Sequence, residues 1–169
     1  MFKDEYEVRC ESSIMYGEVG PYVQGRATLS KWVEMTDEED FNSIVIGYIN
    51  FFSIGWWDYD LPCLMDIAEE LGENSRSILN NISSHYDDME DFRESNNLEL
   101  LTRLIIIEDM QLKEEYSGIG LEELFFEDFS MFQDFSTLYL SVNGDTHQSF
   151  GLKYLDNSLD ILHKDGNLI

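Results

Sequence analysis

The first third of the chain alternates apolar and polar positions in the manner of β-strands. Tyr6 to Ser12 and Ala27 to Met35 predict two strands, separated by a loop over Gly17 to Gly25 that holds three glycines and a proline. Ile44 to Phe52 is apolar on both faces and rich in β-branched and aromatic residues, which is typical of a central buried strand. These three segments predict an antiparallel meander.

The apolar period then changes to that of a helix. Apolar side chains recur at helical spacing from Leu64 to Ile82, where Gly72 and Asn74 predict a bend or a division into two helices. The segment 83–97 is strongly charged and predicts a solvated loop or a short helix. This part of the chain is expected to be helical and to follow the meander.

The second half of the chain predicts a further strand, a helix and another strand. Leu104 to Ile107 predicts a second buried strand, and Thr137 to Val142 predicts another. Leu121 to Phe132 predicts a helix whose core side chains are Leu121, Leu124, Phe125 and Phe132. No linker or repeat interrupts the chain, so the pattern predicts a single α+β domain built on a sheet with at least two helices.

Composition adds an unusual charge to this picture. The 169 residues include 35 acidic and 10 basic side chains, for a formal charge of -25 and a pI near 4.1. Apolar residues at 43% and aromatic residues at 14% favour a folded core over disorder. The charge argues against direct nucleic-acid binding and instead favours a cationic small molecule or a basic protein as partner.

The cysteines and the amino terminus bear on location. Cys10 and Cys63 lie in no metal-binding or disulfide pattern, which favours a reducing compartment. The amino terminus lacks the pattern of a signal peptide, and the longest apolar run, Ile44 to Ile54, is too short to span a bilayer. We therefore expect a cytoplasmic protein with no membrane partner.

The stretch Leu104 to Phe126, LIIIEDMQLKEEYSGIGLEELFF, holds the strongest candidate chemistry. A buried strand leads through a polar turn into Gly118-Ile119-Gly120 and then into an amphipathic helix. Glycines at the start of a helix let phosphate groups approach free backbone N–H groups and the positive end of the helix dipole. The alternative interpretation is a tight turn between strand and helix without a ligand.

Residues Glu115 to Gly120 resemble the acyl-CoA-binding motif of the GCN5-related N-acetyltransferase (GNAT) family, Gln/Arg-x-x-Gly-x-Gly/Ala. The strand before the motif, the helix and strand after it, and the earlier meander follow the order of elements in that family. The helical segment at about 58–97 is similar to an insertion before the motif strand in some bacterial and phage relatives. The resemblance implies a mixed, mostly antiparallel sheet flanked by helices, in one domain over residues 1–169.

The resemblance also implies acetyl-CoA as cofactor and assigns residues to it. Backbone groups around Asp109, Met110 and Gln111 would face the pantetheine arm. The amides that follow would hold the pyrophosphate, namely those of Tyr116, Ser117, Gly118, Ile119 and Gly120. These assignments define a pocket and leave the acceptor undefined.

An amine acceptor must lose a proton, and a carboxylate on the motif strand is our candidate for the general base. Glu108 and Asp109 are the candidates, with a solvent-facing role as the alternative for Glu108. His147 is a second candidate base. The aromatic residue nearest the position of the family's thiolate-protonating tyrosine is Phe150, which has no proton to donate, so Tyr154 is the candidate acid.

The sequence supports two hypotheses of function, which belong to different classes of protein. The first is an acetyl-CoA-dependent N-acetyltransferase for a cationic amine, in which the acidic surface steers the acceptor and a homodimer is possible. The second starts from Glu114 and Glu115, two like charges beside the expected pyrophosphate position. It is a catalytically degenerate, acidic protein that mimics nucleic acid and inhibits a basic nucleic-acid-binding partner, as an anti-restriction or anti-CRISPR protein of a phage or mobile element would.

Overall fold

The computed structural model describes residues 5–34, 41–55, 60–95, 103–133, 137–141, 153–154 and 157–158. Five strands form one sheet in chain order: β1 (Tyr6–Tyr16), β2 (Pro21–Glu34), β3 (Phe41–Gly55), β4 (Arg103–Leu112) and β5 (Thr137–Ser141). Neighbouring strands are antiparallel except β4 and β5, which are parallel. Two short strands, β6 (Lys153–Tyr154) and β7 (Asn157–Ser158), pair with each other. The predicted α+β class and the antiparallel meander are confirmed.

Helices fill the connections on both sides of β4. Three lie between β3 and β4: α1 (Leu61–Glu70), α2 (Glu73–His85) and α3 (Met89–Ser95). The fourth, α4 (Leu121–Ser130), lies between β4 and β5 after a short 3-10 turn at Glu114–Tyr116. The predicted division near Gly72 is confirmed, because Gly72 is the N-cap of α2. In the described parts of the chain, no helix has the length and apolar character needed to cross a bilayer.

Each face of the sheet has its own apolar core. Helices α1 to α3 pack on one face, in a core that includes Phe52, Ile54, Ile67, Ile78, Leu79, Phe92, Leu104 and Ile106. Helix α4 packs on the other, in a core that includes Ala27, Leu29, Ile49, Phe51, Ile105, Ile107, Phe125 and Phe129. Because β3 and β4 contribute to both cores, their apolar runs have no polar alternation.

Two sequence predictions need correction. The loop predicted over residues 17–25 ends at Gly20, because β2 begins at Pro21 and runs through Gly25. The core side of α4 is formed by Leu121, Phe125, Phe126 and Phe129. Phe132 lies beyond the last residue of the helix and its side chain is 54% exposed, so it is not part of the core.

A β-bulge in β4 sets up the region of the candidate site. Asn50 pairs with Asp109 and Phe51 pairs with Ile107, which leaves Glu108 as an extra residue without a partner on β3. The bulge interrupts the strict alternation of side chains. As a result Glu108 and Asp109, although adjacent in the chain, both lie on the face that carries α1 to α3.

Candidate functional site

The carboxylate of Glu108 caps the N-terminus of α2. It accepts hydrogen bonds from the backbone N–H of Asn74 (3.1 Å) and Ser75 (2.8 Å), and also from the Ser75 hydroxyl. The Asn74 side chain donates in return to the Glu108 carbonyl oxygen at 2.7 Å. Gly72 has no side chain to cap the helix itself, and a Cβ at that position would overlap the Glu108 carboxylate. Glu108 is therefore half-buried, and its acceptor oxygens serve the helix.

Asp109 instead belongs to a polar surface on the same face of the sheet. Strand register places Glu11, Arg26, Asn50 and Asp109 in one row across β1 to β4. The adjacent row is Arg9, Thr28, Tyr48 and Gln111. None of these side chains is buried within the described structure, whereas Phe52, Ile54, Leu104 and Ile106 on the same face lie in the core beneath α1 to α3. We call these two rows the polar platform.

The centre of the polar platform is organised by hydrogen bonds and one stacking contact. The Tyr48 hydroxyl donates to Asp109 Oδ2 at 3.0 Å, and Gln111 Nε2 donates to the same oxygen at 3.2 Å. Arg26 Nε donates to Asn50 Oδ1 at 2.6 Å, and Arg26 Cζ lies 4.7 Å from the centroid of the Tyr48 ring. Burial, followed by the hydrogen bond to Asp109, raises the pKa of the Tyr48 hydroxyl. Tyr48 is therefore a protonated donor at neutral pH.

Next to the polar platform, one edge of β4 has no partner strand among the described residues. The described residues of β5 pair with β4 from Arg103 to Ile107, and residues 142–152 lie outside the described structure. From the bulge at Glu108 onward, β4 has no partner on that side within the described residues, while β3 continues to pair with it as far as Leu112. Met110 points its side chain into the core under α4, and only its backbone faces the open edge. An extended ligand has a row of backbone groups to bind at this edge.

The loop after β4 has the backbone geometry of an anion site. Gly118 (φ 74°) and Gly120 (φ 86°) both adopt the left-handed conformation that favours glycine, and a Cβ at either residue would meet open space. Gly120 is the N-cap of α4 and supplies no side-chain cap. The amides of Ile119, Gly120 and Leu121 have no hydrogen-bond partner within the described residues. Free amides at the N-terminus of a helix attract negative charge.

The loop already holds a carboxylate of its own chain. Glu122 Oε1 accepts the Gly118 N–H at 2.8 Å and the Ser117 hydroxyl at 3.0 Å. Burial acts to raise the pKa of Glu122, but the hydrogen bonds from Gly118, from its own amide and from Ser117 outweigh it and lower the pKa. This stabilisation of the loop is present above the ordinary glutamate pKa and is lost as the pH falls through the lowered one. An external anion must displace Glu122 to reach the Gly118 amide.

Basic side chains are scarce around this loop. Lys31 of β2 lies beside it, with Nζ 5.6 Å from the ring centroid of Tyr116 and 5.9 Å from that of Tyr6. Glu114 and Glu115 are exposed, as is the side chain of Ile119 at 51%. The electrostatic field at the loop is therefore set by positive contributions from backbone amides, Lys31 and Lys113, and by the negative charge of nearby carboxylates.

The remaining sequence candidates fall at or beyond the limits of the described residues. Tyr154 lies in β6, where its backbone pairs with Asn157, and its side chain is not described. His147 and Phe150 lie outside the described residues. The described residues contain no group of three or more His, Cys, Asp or Glu that could hold a metal ion.

The sequence prediction missed the residues that surround Asp109. Tyr48 and Asn50 sit in a strand that the pattern assigned to the core on both faces, and Arg26 lies in a segment assigned to a strand only from Ala27. The sequence did contain a signal for a polar surface. Tyr48 and Asn50 alternate with the positions of Phe52 and Ile54 on one face of β3, and there the face changes from apolar to polar. The other signal was Arg26, a basic residue in a strongly acidic chain.

The site therefore combines a polar platform on an α+β sheet, a strand edge without a partner among the described residues, and a glycine loop at a helix N-terminus, arranged around one bulged strand. No family model, curated protein or solved structure matches the chain. The GNAT resemblance stays a hypothesis that rests on the motif and the order of elements.

Proposed function

We propose that the protein is an acetyl-CoA-dependent N-acetyltransferase that acts on a small amine. One observation carries the proposal: β4, bulged at Glu108, leads into a glycine loop at the N-terminus of α4, and the loop amides from Ile119 to Leu121 have no partner among the described residues. The edge of β4 from Asp109 to Leu112, which has no partner among the described residues, suits an extended arm, and the free amides from Ile119 to Leu121 suit a pyrophosphate. The free thiols of Cys10 and Cys63 favour a cytoplasmic location.

Of the two candidate carboxylates, we propose Asp109 as the one that meets the amine. This choice is supported by its hydrogen bonds on the polar platform, whereas the carboxylate of Glu108 is occupied by α2. Asp109 holds the ammonium group by charge-assisted hydrogen bonds and accepts a proton from it. When bound, acetyl-CoA would supply the acetyl group: its C–S bond would break as the C–N bond forms, and of the two protons that the ammonium group loses, one would pass to Asp109 and one would leave with the thiol.

The glycine loop offers a matched pair of variants that tests acetyl-CoA binding. Glu122→Ala removes the carboxylate that occupies the Gly118 amide, so we expect acetyl-CoA to bind about 10-fold more tightly, equivalent to about 1.4 kcal/mol. Glu123→Ala removes the same charge from an exposed position that makes no contact with the loop amides. We expect it to change the affinity less than about 3-fold. Isothermal titration calorimetry at physiological salt measures both.

Equal effects of the two variants would mean that only net charge matters and that the loop is not the binding site. If acetyl-CoA at millimolar concentration binds none of the three proteins, the acetyltransferase proposal is wrong. Far-ultraviolet circular dichroism of each variant verifies that α4 is intact.

A second candidate function, the acidic mimic of nucleic acid, is favoured by the surface around α4. Six carboxylates lie on this helix and the loop before it: Glu114, Glu115, Glu122, Glu123, Glu127 and Asp128. None of them has an ion-pair partner within the described residues. Carboxylates without ion-pair partners on the outer side of a helix are the feature that a basic nucleic-acid-binding groove would recognise.

Inhibition assays with a panel of restriction and CRISPR nucleases test this second function. We expect inhibition of a susceptible nuclease to weaken steeply with salt, because surface charges are screened beyond about 10 Å at 0.1 M. Replacing Glu123 and Glu127 by glutamine should weaken inhibition, whereas replacing Glu69 and Glu90 on α1 and α3 removes equal charge elsewhere and should not. Mimicry by this surface would be contradicted if inhibition were unchanged both by added salt and by the substitution of Glu123 and Glu127.

A further inference from the structure

The polar platform presents an arginine whose position is fixed and whose donors are free. Arg26 is held by the hydrogen bond from Nε to Asn50 and by stacking over the Tyr48 ring. Its two terminal nitrogens have no partner within the described residues, although Glu11 lies directly opposite on β1. A guanidinium held in this way is prepared to bind a carboxylate through its free N–H groups.

Asp109 supplies the opposite charge on the same platform. Its carboxylate accepts hydrogen bonds from Tyr48 and Gln111, and the two oxygens of a carboxylate offer roughly four acceptor positions in all. Acceptor capacity therefore remains for an ammonium group. Asp109 is half-buried, so a charge bound there is less screened than at the exposed carboxylates of the helices.

The backbones of Arg26 and Asp109 lie at a defined spacing, and the Arg26 guanidinium reaches over β3, which lies between them. Arg26, Asn50 and Asp109 are in register on three adjacent strands. Neighbouring strands are about 4.8 Å apart, which separates the Arg26 and Asp109 backbones by roughly 10 Å. The side chains of Tyr48 and Asn50 form the floor between them.

We infer that the polar platform binds a small molecule with a carboxylate at one end, held by Arg26, and an amine at the other, held by Asp109. The identification of that amine as the acetyl acceptor rests on the proposed function, whereas the binding itself does not. The inference differs from what net charge predicts. A charge of -25 favours a diamine over a zwitterion, but the second ammonium group of a diamine would face Arg26.

Three probes of equal chain length test the inference: 6-aminohexanoate, hexane-1,6-diamine and hexylamine. Titration calorimetry at physiological salt and without acetyl-CoA gives their affinities. We expect 6-aminohexanoate to bind at least 10-fold more tightly than the diamine or hexylamine. Arg26→Gln should abolish this preference, and Arg26→Lys should reduce it, because lysine keeps the charge and loses the planar donors.

Arg76→Gln is the matched control, because it removes one exposed positive charge from α2, outside the two rows of the polar platform, and should leave the preference unchanged. The inference is overturned if the diamine binds as tightly as 6-aminohexanoate, if Arg26→Gln keeps the preference, or if no probe binds at 10 mM or so, a ceiling of about -2.7 kcal/mol. The acetyl-CoA titration separates the two proposals. If acetyl-CoA does not bind but 6-aminohexanoate is still preferred, only the acetyltransferase proposal is wrong. If acetyl-CoA binds but 6-aminohexanoate is not preferred, only the zwitterion site is wrong.

Discussion

Glu108→Ala is expected to lower the free energy of unfolding by about 3 kcal/mol, the largest effect of any single change proposed for this chain. The substitution removes the acceptor for the amides of Asn74 and Ser75 and for the Ser75 hydroxyl. Ser75 is fully buried, so water cannot replace the lost hydrogen bonds. The start of α2 and its packing on β4 should loosen together. Urea unfolding measures the change as a lower midpoint at constant slope.

Two controls separate this role from simple charge effects and from catalysis. Glu73→Ala removes an exposed carboxylate in the first turn of the same helix, and should cost less than about 1 kcal/mol because only its interaction with the helix dipole is lost. Glu108→Gln keeps one acceptor oxygen, so it should be more stable than Glu108→Ala. If Glu108→Ala were as stable as Glu73→Ala, the structural role would be refuted. Under the proposed acetyltransferase function, Glu108→Gln should keep full amine acetylation, since Asp109 is the proposed base.

Gly25→Ala is expected to destabilise the protein by about 2 to 3 kcal/mol through overpacking. A Cβ on Gly25 would overlap the ring of Phe51, with Cε1 only 2.6 Å away. The ring cannot retreat, because Phe51 is 2% exposed and its centroid lies 5.0 Å from that of Phe129. Thermal and urea unfolding of the purified variant both report the loss.

A double-mutant cycle with Phe51→Leu shows whether the clash is the cause. The smaller leucine gives the new methyl group room, so Gly25→Ala should cost less than about 1 kcal/mol in the Phe51→Leu background. Gly118→Ala is a useful contrast, since a methyl group there meets open space and only the backbone strain of a positive φ remains. Additive costs in the cycle would show that the overlap with Phe51 is not responsible.

Local patterns were sufficient to predict most of the elements of the fold. The apolar run in β3 indicated a strand buried on both faces, because β-branched and aromatic side chains favour extended backbone. The change to helical spacing after Leu64 and the break at Gly72 located α1 and α2. The glycine loop before α4 was also visible, since a glycine pair at a helix start follows from local backbone geometry. Strand ends were less accurate, as at Pro21, because tertiary pairing extends a strand beyond its own pattern.

The roles of Glu108 and Asp109 on β4 could not be predicted from local sequence patterns. Glu108 meets amides that lie 33 and 34 residues earlier in the chain, and Asp109 meets a tyrosine 61 residues earlier. A one-residue bulge decides which face each side chain occupies. Sequence alternation predicts opposite faces for adjacent residues, and only pairing with β3 reveals the exception.

The sequence by itself determined the class of the protein, its acidity, its helices and strands, and the glycine loop, because each depends on composition or on neighbours a few residues apart. The tertiary structure alone decided that Glu108 caps a helix, that Glu122 occupies the loop, and that Arg26, Tyr48 and Asp109 share one surface. These features depend on strand register and on the bulge, which bring together residues far apart in the chain.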